Sequence, residues 1–243
     1  MDRLRRRGRE PGLAELLAER PPFEVKLTRL ERASGPAAAR NAALALAEGD
    51  VVYLSDDDCV PAEGTLAAHV DGVASAEPPG VATVGGLAFE AASGESELRS
   101  PARVGWWQFT GANSAAPLSA LREGGGFDES LEGYGVEDVL LGYRLSELGL
   151  RFVALPDALA VHVGPEPMSG HDLDKPESAG RNAARVASAR PELAFRLGVS
   201  LPLLVCKRAL LPPLAWAFGG RLAAELAYAR GAWQARAERR NAR

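Results

Sequence analysis

The spacing of apolar and polar residues predicts alternating strands and helices in the first part of the chain. Residues 23–30 alternate apolar and polar side chains, which is typical of a strand. An alanine-rich stretch over 37–47 follows a proline and predicts a helix. The next run, 51–54, is mostly β-branched or aromatic and predicts a buried strand. Residues 23–58 therefore predict a strand–helix–strand unit with acids at the end of its second strand.

The remainder of the chain continues this mixed pattern and ends in helices. The predicted elements are a helix over 64–76, a strand over 81–89, a loop over 93–103, an aromatic-rich strand over 106–114, a helix over 137–148, strands over 151–154 and 158–163, and a helix over 181–197. Two apolar runs, 199–206 and 209–218, are each shorter than the roughly 20 residues that span a bilayer. They favour an interfacial helix pair or a helix packed on the domain. The whole pattern predicts an α/β fold with a C-terminal helical tail.

Charge is unevenly distributed along the 243 residues, although the net charge of −4 is small. Residues 1–9 hold five arginines and one aspartate, hence +4, and residues 207–243 hold eight Lys or Arg and two Glu, hence +6. The segment between them then holds −14. Basic ends on an acidic body favour contact with an anionic membrane surface, and no nucleic-acid partner is expected. Ordinary solvated helix ends are the alternative.

The cysteines and the N-terminus bear on the compartment. Cys59 and Cys206 lie far apart without metal-ligand spacing, which argues against a disulfide framework and against zinc. The N-terminal arginines precede no apolar region of the kind that a signal peptide requires. These features predict a cytoplasmic protein, with the inner face of the plasma membrane as the surface for its basic tail.

Three consecutive carboxylates, Asp56, Asp57 and Asp58, follow the predicted strand at 51–54. Adjacent acids repel one another unless a cation neutralises them, and a divalent metal held by oxygen ligands does this well. In an extended chain Asp56 and Asp58 point to the same side and can share one metal. The C-terminal ends of strands are also where open α/β sheets bind ligands. A solvated acidic turn is the alternative.

Three further stretches each allow two interpretations. Trp106 and Trp107 point to opposite faces of a strand, so one of them either lines a cleft as a platform for a sugar ring or packs in the core. Glu137 and Asp138 open a predicted helix, where acids are favoured by the helix dipole or one of them acts as a general base. His162 lies in a predicted strand, where a histidine is usually a packed core residue.

Five short stretches occur in an order that resembles the family 2 glycosyltransferases of GT-A fold. They are residues 35–41, 54–58, 110–114, 125–129 and 135–145, and His162 follows them. The resemblance covers residues 23–165 and implies a GT-A-like mixed sheet flanked by helices. It also implies a nucleotide-sugar donor, with a UDP-sugar as the expected one, a Mn²⁺ or Mg²⁺ ion, and inversion at the anomeric carbon.

The resemblance assigns residues to the donor and metal side of the site. Asp56 and Asp58 match the D-x-D motif that holds the metal on the donor diphosphate. His162 matches a histidine that completes the metal site in several relatives, which makes the expected ligands Asp56, Asp58 and His162. Arg40 and Asn41 match helix residues beside the donor. The expected donor-binding set is Arg40, Asn41, Asp56, Asp57 and Asp58.

The acceptor side follows from the same resemblance. Asp138 matches the catalytic base, and Glu137 beside it is expected to bind the acceptor and to take part in catalysis. The expected acceptor-binding set is Trp107, Gly111, Asn113 and Glu137. A glycan or lipid-linked glycan of the cell envelope is the expected acceptor.

The beginning of the chain departs from the family pattern. Residues 1–22 contain neither an apolar strand nor the aspartate that contacts the nucleotide base in the family. We expect this basic segment to precede a catalytic domain over 23–176 and a helical, basic tail over 177–243. Because the base-binding half of the donor site is missing, weak binding of a UDP-sugar is expected. The open edge of the strand at 23–30 is expected to favour a homodimer.

Three functions remain open at this point. The first is an inverting, metal-dependent glycosyltransferase with peripheral membrane contact through its tail. The second is a weak or inactive remnant of such an enzyme that binds glycans or a partner enzyme. The third is a metal-dependent phosphatase or nucleotidyltransferase, which ranks last because no second cluster of acids or histidines lies near the acidic strand.

Overall fold

The computed structural model of the protein describes residues 18, 22–32, 34–90, 96–99, 104–163, 172–218 and 220–241. A six-stranded mixed sheet with flanking helices confirms the predicted α/β class. The strands are β1 (Val51–Leu54), β2 (Cys59–Pro61), β3 (Val81–Glu90), β4 (Ser96–Arg99), β5 (Ser114–Pro117) and β6 (Arg151–His162). The helices are α1 (Gly35–Leu46), α2 (Thr65–Ala74), α3 (Leu118–Glu123), α4 (Glu137–Glu147), α5 (Asp174–Ala189), α6 (Leu201–Phe218) and α7 (Gly220–Asn241). Short 3₁₀ turns cover Trp106–Gln108 and Pro191–Leu193.

The strand order brings two distant segments of the chain to the acidic turn after β1. The order is β1, β5, β3, β6, β2, with β4 paired to β3, and only β3 and β6 run parallel. Leu54 at the end of β1 pairs with Ser114 at the start of β5. Cys59 of β2 pairs with His162 at the end of β6. Residues 55–58 therefore lie between the segment before β5 and the end of β6.

Alternate residues of β3 separate the two faces of the sheet, as the period of a strand requires. Ala82 and Val84 belong to the apolar core beneath α1, α3 and α4. Thr83, between them, faces α2 and is hydrogen bonded to His69 of that helix. This core also contains Phe109, Leu121, Phe127, Leu141 and Leu145, all nearly or fully buried. This core lies under α1 and α4, and it therefore fixes the position of Arg40 and of the start of α4.

Several predicted elements differ in the structure. The predicted strand at 23–30 is wrong: residues 22–32 have no strand pairing, and Phe23 and Leu27 are 66% and 59% exposed. Alternation is a local signal, but a strand also needs a neighbouring strand to hydrogen bond with. The predicted loop over 93–103 contains β4, which pairs with β3. The aromatic-rich strand over 106–114 is instead a 3₁₀ turn, and β5 begins only at Ser114.

The two short strands predicted near residues 151–163 are one strand with an irregularity. In the pairing of β3 with β6, Gly85 lies opposite Leu155 but Gly86 lies opposite Leu159. Three residues of β6 are thus skipped in the register. The break separates the two apolar runs that the sequence pattern treats as separate strands.

The C-terminal helices pack on the start of α4. Val136 and Leu140 share a buried cluster with residues of α5, α6 and α7. α5 and α7 touch through their backbones, since a Cβ at Gly180 would overlap the carbonyl oxygen of Tyr228 and one at Gly231 would overlap that of Glu177. Part of the predicted tail is therefore a helical layer packed on the start of α4, which corresponds to the second of the two arrangements that its apolar runs favour.

α6 is the helix of this layer that exposes apolar side chains. Leu201, Val205 and Leu210 are 51%, 51% and 63% exposed, and Phe195 in the preceding turn is 77% exposed. Leu204 of the same helix is fully buried. Among the described residues, no helix has both the length and the hydropathy that crossing a membrane would take.

Candidate active site

Arg40 connects the two acidic segments of the site. One guanidinium nitrogen of Arg40 (Nη1) donates to Glu137 Oε1 at 2.9 Å, and the other (Nη2) donates to Asp56 Oδ1 at 2.6 Å. Its guanidinium also lies 5.3 Å from the centre of the Phe127 ring, and a Cβ at Gly111 would overlap it. The acid that follows β1 and the acid that begins α4 are thus held at a fixed separation by a residue of α1.

The charges around Arg40 favour its charged form. Burial alone would lower the pKa of this guanidinium, but Asp56, and then Asp138 and Glu137, outweigh burial and raise the pKa above its ordinary value. We call the group formed by Arg40, Asp56, Glu137 and Asp138 the carboxylate cluster. It sets three carboxylates around one guanidinium, so the cluster has an excess of negative charge.

Asp138 has the ionisation behaviour that a general base needs. Burial, and then the neighbouring charge of Glu137, raises the pKa of Asp138 to about 6. Arg40 opposes this shift, as do the backbone N–H groups of Val139 and Gly111, which donate to Asp138 at 2.8 and 3.3 Å. A carboxylate with a pKa near neutrality takes up a proton more readily than an ordinary aspartate, yet it is ionised at pH 7.

The backbone before Glu137 is strained. Val136 has a φ of +80°, and Gly133 and Gly135 have φ values of +78° and +92°. A β-branched residue in this left-handed region costs on the order of 1–3 kcal/mol, and it persists only where the surrounding structure imposes it. The strain lies at the residue that immediately precedes the two candidate catalytic acids.

A second cluster lies at the junction of β2 and β6. One ligand atom each from Asp58, Cys59 and His162 lie within 4.8 Å of one another, and His162 Nε2 is 3.4 Å from Asp58 Oδ1. His162 Nδ1 is buried without a hydrogen-bond partner among the described residues. Burial, with Asp56 and Asp58, raises the pKa of the Cys59 thiol to about 12. The Asp58 carboxylate is a ligand type that Mn²⁺ and Mg²⁺ prefer, and the three residues are a candidate metal site.

The expected metal ligands are brought together only in part. The strand ends at Leu54, and residues 55–58 form a turn, so Asp56 and Asp58 do not alternate as they would in an extended chain. Asp58 lies beside His162, whereas Asp56 is bonded to Arg40. Asp57 is exposed. Cys59, which showed no metal-ligand spacing in the sequence, lies with Asp58 and His162.

Asn113, an expected acceptor ligand, lies in the protein interior and is fully buried. Its Nδ2 donates to the carbonyls of Gly86 and Ala158 at 2.8 and 2.9 Å, which are the residues at the register break between β3 and β6. Its Oδ1 accepts from the Tyr53 hydroxyl and from His69 Nε2 at 2.9 and 3.0 Å. All its hydrogen-bonding positions are used, which excludes direct contact with an acceptor. We call Tyr53, His69, Thr83 and Asn113 the Asn113 network.

Asn41, an expected donor ligand, also has a structural position. Its Nδ2 donates to the Phe127 carbonyl at 2.9 Å and to Glu129 Oε1 at 2.7 Å, and its Oδ1 accepts from the Phe127 N–H at 2.8 Å. Asn41 thereby holds the turn at 125–129, while Arg40 next to it reaches the acids. Two neighbouring residues of α1 therefore contact two different parts of the site.

Of the expected acceptor residues Trp107 and Gly111, Gly111 is buried in the carboxylate cluster, where its N–H donates to Asp138, whereas Trp107 lies at the surface. Trp107 is 40% exposed, and the Arg196 guanidinium lies 4.0 Å from the centre of its ring. Trp106 packs edge-on against Trp107 and Tyr143. Arg196 covers one part of the Trp107 ring and the backbone of Gly105 lies against another, so its role as an acceptor platform stays a prediction.

Sequence reasoning missed the residues of α5 that contact the loop at 132–135. Asn182, which is 1% exposed, donates through Nδ2 to the carbonyls of Glu132 and Gly135. Ser178 accepts from the N–H of Tyr134 at 2.9 Å. These contacts join residues more than 40 positions apart, and no spacing within α5 signals them.

Comparisons with known proteins identify relatives of this chain. The model of Glycosyl transferase family 2 matches residues 9–118. A pre-mycofactocin glycosyltransferase of Mycobacterium tuberculosis, found in two strains, is 30% identical over 217 residues. That match covers 82% of this chain and 44% of the relative, so the chain spans less than half the length of the curated relatives it matches.

Two solved structures share the fold. The mannosyltransferase PcManGT from Pyrobaculum calidifontis, in complex with GDP-Man and Mn²⁺, is similar with a TM-score of 0.53 at 21% identity, over 96% of this chain and 62% of that one. GalNAc-T7 with UDP, GalNAc and Mn²⁺ has a TM-score of 0.52 at 18% identity, over 74% and 39%. Both are GT-A glycosyltransferases, which confirms the predicted GT-A-like sheet. The family match over residues 9–118 and the curated relative support the assignment of this chain to glycosyltransferase family 2.

Proposed function

We propose that this chain transfers a sugar from a nucleotide-sugar donor to an acceptor hydroxyl with inversion at the anomeric carbon. The observation that carries the proposal is Asp138: its pKa is raised to about 6, and it lies in one cluster with Glu137 and Asp56 around Arg40. The family match supports it, as do the GDP-Man and Mn²⁺ bound by PcManGT and the UDP, GalNAc and Mn²⁺ bound by GalNAc-T7.

The proposed chemistry divides between the two ends of the site. A single displacement requires a base that removes the proton of the acceptor hydroxyl as it attacks the anomeric carbon. Asp138 accepts that proton, and Glu137 orients the acceptor while it is bonded to Arg40. At the other end, Asp58 and His162 would hold Mn²⁺ or Mg²⁺, with Cys59 close by. The bound ion supplies positive charge at the diphosphate that leaves.

The exposed side chains support proposals about the acceptor and about contact with a membrane. Trp107 offers a platform for a sugar ring of a cell-envelope or lipid-linked glycan. The exposed apolar residues of α6, with Arg196 and Arg208 close in sequence, support peripheral contact with an anionic membrane surface. The basic residue Arg236, by contrast, donates to the Val199 carbonyl, which places that part of α7 against the protein. A homodimer is also proposed, but the open strand edge at 23–30 that was expected to favour it is absent, because residues 22–32 have no strand pairing.

Release of nucleotide diphosphate from UDP-glucose, UDP-N-acetylgalactosamine and GDP-mannose tests the proposal. We expect hydrolysis or transfer with at least one donor that requires Mn²⁺ and stops on addition of EDTA. Asp58→Asn should weaken Mn²⁺ binding by at least about tenfold, because even the loss of a group that only supports a ligand costs 10–100-fold. Asp71→Asn, at an exposed position of α2, is the matched control.

Two results would contradict the proposal. Equal Mn²⁺ affinity of the Asp58→Asn and Asp71→Asn proteins, measured by calorimetry, would exclude the assigned metal site. A folded parent protein that binds glycans but releases nucleotide from none of the donors would instead support a remnant that acts as a binding module.

A further inference from the structure

The loop at 132–136 has a backbone conformation that it would not prefer by itself. The two candidate catalytic acids follow this loop directly, so its conformation sets their position. Gly133 and Gly135 adopt the left-handed region readily, but Val136, with a φ of +80°, is strained there, and α4 begins immediately afterwards with Glu137. Since the strain at Val136 persists only where neighbouring structure imposes it, the contacts around this loop decide where Glu137 and Asp138 lie.

α5 supplies these contacts through polar side chains. Asn182 Nδ2 lies 3.0 Å from the carbonyl oxygen of Glu132, 3.1 Å from that of Gly135 and 3.5 Å from that of Tyr134. Three carbonyl oxygens require a donor, so the orientation of the Asn182 amide is determined by the network. One turn earlier on the helix, the Ser178 hydroxyl accepts from the N–H of Tyr134 at 2.9 Å.

Packing brings the same helix close to the loop backbone. A Cβ at Gly135 would lie 2.7 Å from the Ala179 Cβ, and one at Gly133 would lie 2.6 Å from the Ser178 hydroxyl oxygen. The loop is thus fixed by hydrogen bonds to its carbonyls, by one to its N–H, and by contact with the helix surface. α5 lies outside residues 9–118, which the family model matches.

We propose that Asn182, with Ser178, is a positioning residue that holds the 132–136 loop in its strained conformation and thereby sets the place of Asp138 and Glu137. The proposal rests on the proposed function for the identity of the reaction, but the contacts themselves do not depend on it. Neither residue touches a reacting atom, so the effect on catalysis passes through the loop.

The test compares Asn182→Leu with Arg181→Ala in the full chain. Asn182→Leu removes the donor and leaves three carbonyls without it, while it keeps the number of side-chain heavy atoms and their branching. Arg181→Ala is the matched control on the same helix, because Arg181 contacts Gln234 and Glu238 of α7. Ser178→Ala is a milder second variant in case Asn182→Leu does not fold.

We expect Asn182→Leu to lower kcat for nucleotide-sugar hydrolysis by about 10–100-fold with the donor KM unchanged, because small misplacements of catalytic groups have effects of this size. Hydrogen–deuterium exchange over residues 131–140 should accelerate in the same variant. Ser178→Ala should show both effects to a smaller degree, and Arg181→Ala neither, even where it lowers Tm.

The outcomes separate this proposal from the proposed function. If Asn182→Leu and Ser178→Ala match Arg181→Ala in both exchange and kcat, the positioning role is excluded. If kcat falls only in proportion to the folded fraction and exchange is unchanged, the role is excluded as well. If the parent hydrolyses none of the donors, the proposed function fails, and the exchange rates over 131–140 alone decide whether Asn182 holds the loop.

Discussion

The Asn113 network and the carboxylate cluster are both polar groups beside the sheet, but they differ in how far their own partners satisfy them. In the Asn113 network every hydrogen-bonding position of the central amide is occupied by the protein. His69 stays neutral near pH 7, because burial lowers the pKa of its ring. In the carboxylate cluster three acids surround one guanidinium, and burial with a neighbouring acid raises the pKa of Asp138.

The difference separates a structural from a functional use of buried polar groups. A complete network closes the register break between β3 and β6 and needs nothing from solvent or ligand. A cluster with excess charge is less stable by itself and gains most when a proton or a cation arrives. An unbalanced buried charge of this kind departs from the rules that stabilise a fold, and such departures are expected at functional sites. Sequence resemblance placed Asn113 with the ligand-binding residues, and only the contacts assign it to the other group.

The largest expected effect is that of Asp138→Asn on turnover. The amide keeps the shape but cannot accept the acceptor proton, so kcat should fall by roughly 10²–10⁴-fold, the usual contribution of general-base catalysis. Donor affinity should be nearly unchanged. The free energy of unfolding should not fall, because the variant removes a charge that the site disfavours.

Steady-state kinetics and urea unfolding on the same preparation check this prediction. Glu137→Gln is the control, since it is isosteric and adjacent. A larger loss of kcat in Glu137→Gln than in Asp138→Asn would exchange the roles of the two acids.

Asn113→Leu should have the opposite profile. It leaves the carbonyls of Gly86 and Ala158 and the side chains of Tyr53 and His69 without their partner. Each unsatisfied buried group costs about 1–3 kcal/mol, and partial relaxation should leave a total loss of about 2–4 kcal/mol in the free energy of unfolding. Urea unfolding measures this loss. A variant as stable as the parent would show that the Asn113 network does not stabilise the fold and so does not differ from the carboxylate cluster in this respect.

The smallest expected effect is the pH dependence of turnover. Asp138 must be ionised to act as a base, and its pKa is raised to about 6, so kcat should fall by half near pH 6 and continue to fall in more acidic solution. With its pKa raised on folding, Asp138 favours the folded state increasingly as the pH falls through 6 towards its ordinary value of 3.8. Its protonation therefore lowers activity without destabilising the fold.

A pH–rate profile with circular dichroism at each point tests this. An acidic limb centred near pH 4 would mean that Asp138 behaves as an ordinary carboxyl group. Loss of activity that follows loss of ellipticity would assign the limb to unfolding.

Local patterns in the sequence predicted the parts of the fold that local chemistry controls. The helix at 35–46 follows from Pro36 and the alanines, and the acids after β1 follow from the end of an apolar run. The family resemblance added the order of the site segments, and Arg40, Asp56, Glu137 and Asp138 do meet in one cluster. Asp58 also lies beside His162, and the role of these two residues as metal ligands stays a prediction.

What the sequence did not reveal depends on partners distant in the chain. Residues 23–30 have the alternation of a strand, yet pairing depends on a neighbour that alternation cannot specify. The role of Asn113 depends on its hydrogen bonds to Gly86 and Ala158 at the register break, which lie 27 and 45 positions away in the sequence. The turn at 55–58 separates Asp56 from Asp58, and its geometry is set by Arg40 on one side and by β6 on the other.

The backbone contact between α5 and α7 limits which sequences can carry this site. At Gly180 and Gly231 any side chain would meet a carbonyl oxygen of the opposite helix, so even alanine must push the two helices apart. In a library of random variants screened for activity, both positions should therefore tolerate no substitution, although neither lies at the acids. A screen restricted to residues near Arg40 would miss them. Designs that graft a different acceptor site onto this scaffold should thus keep both glycines, since α5 carries the contacts of Asn182 and Ser178.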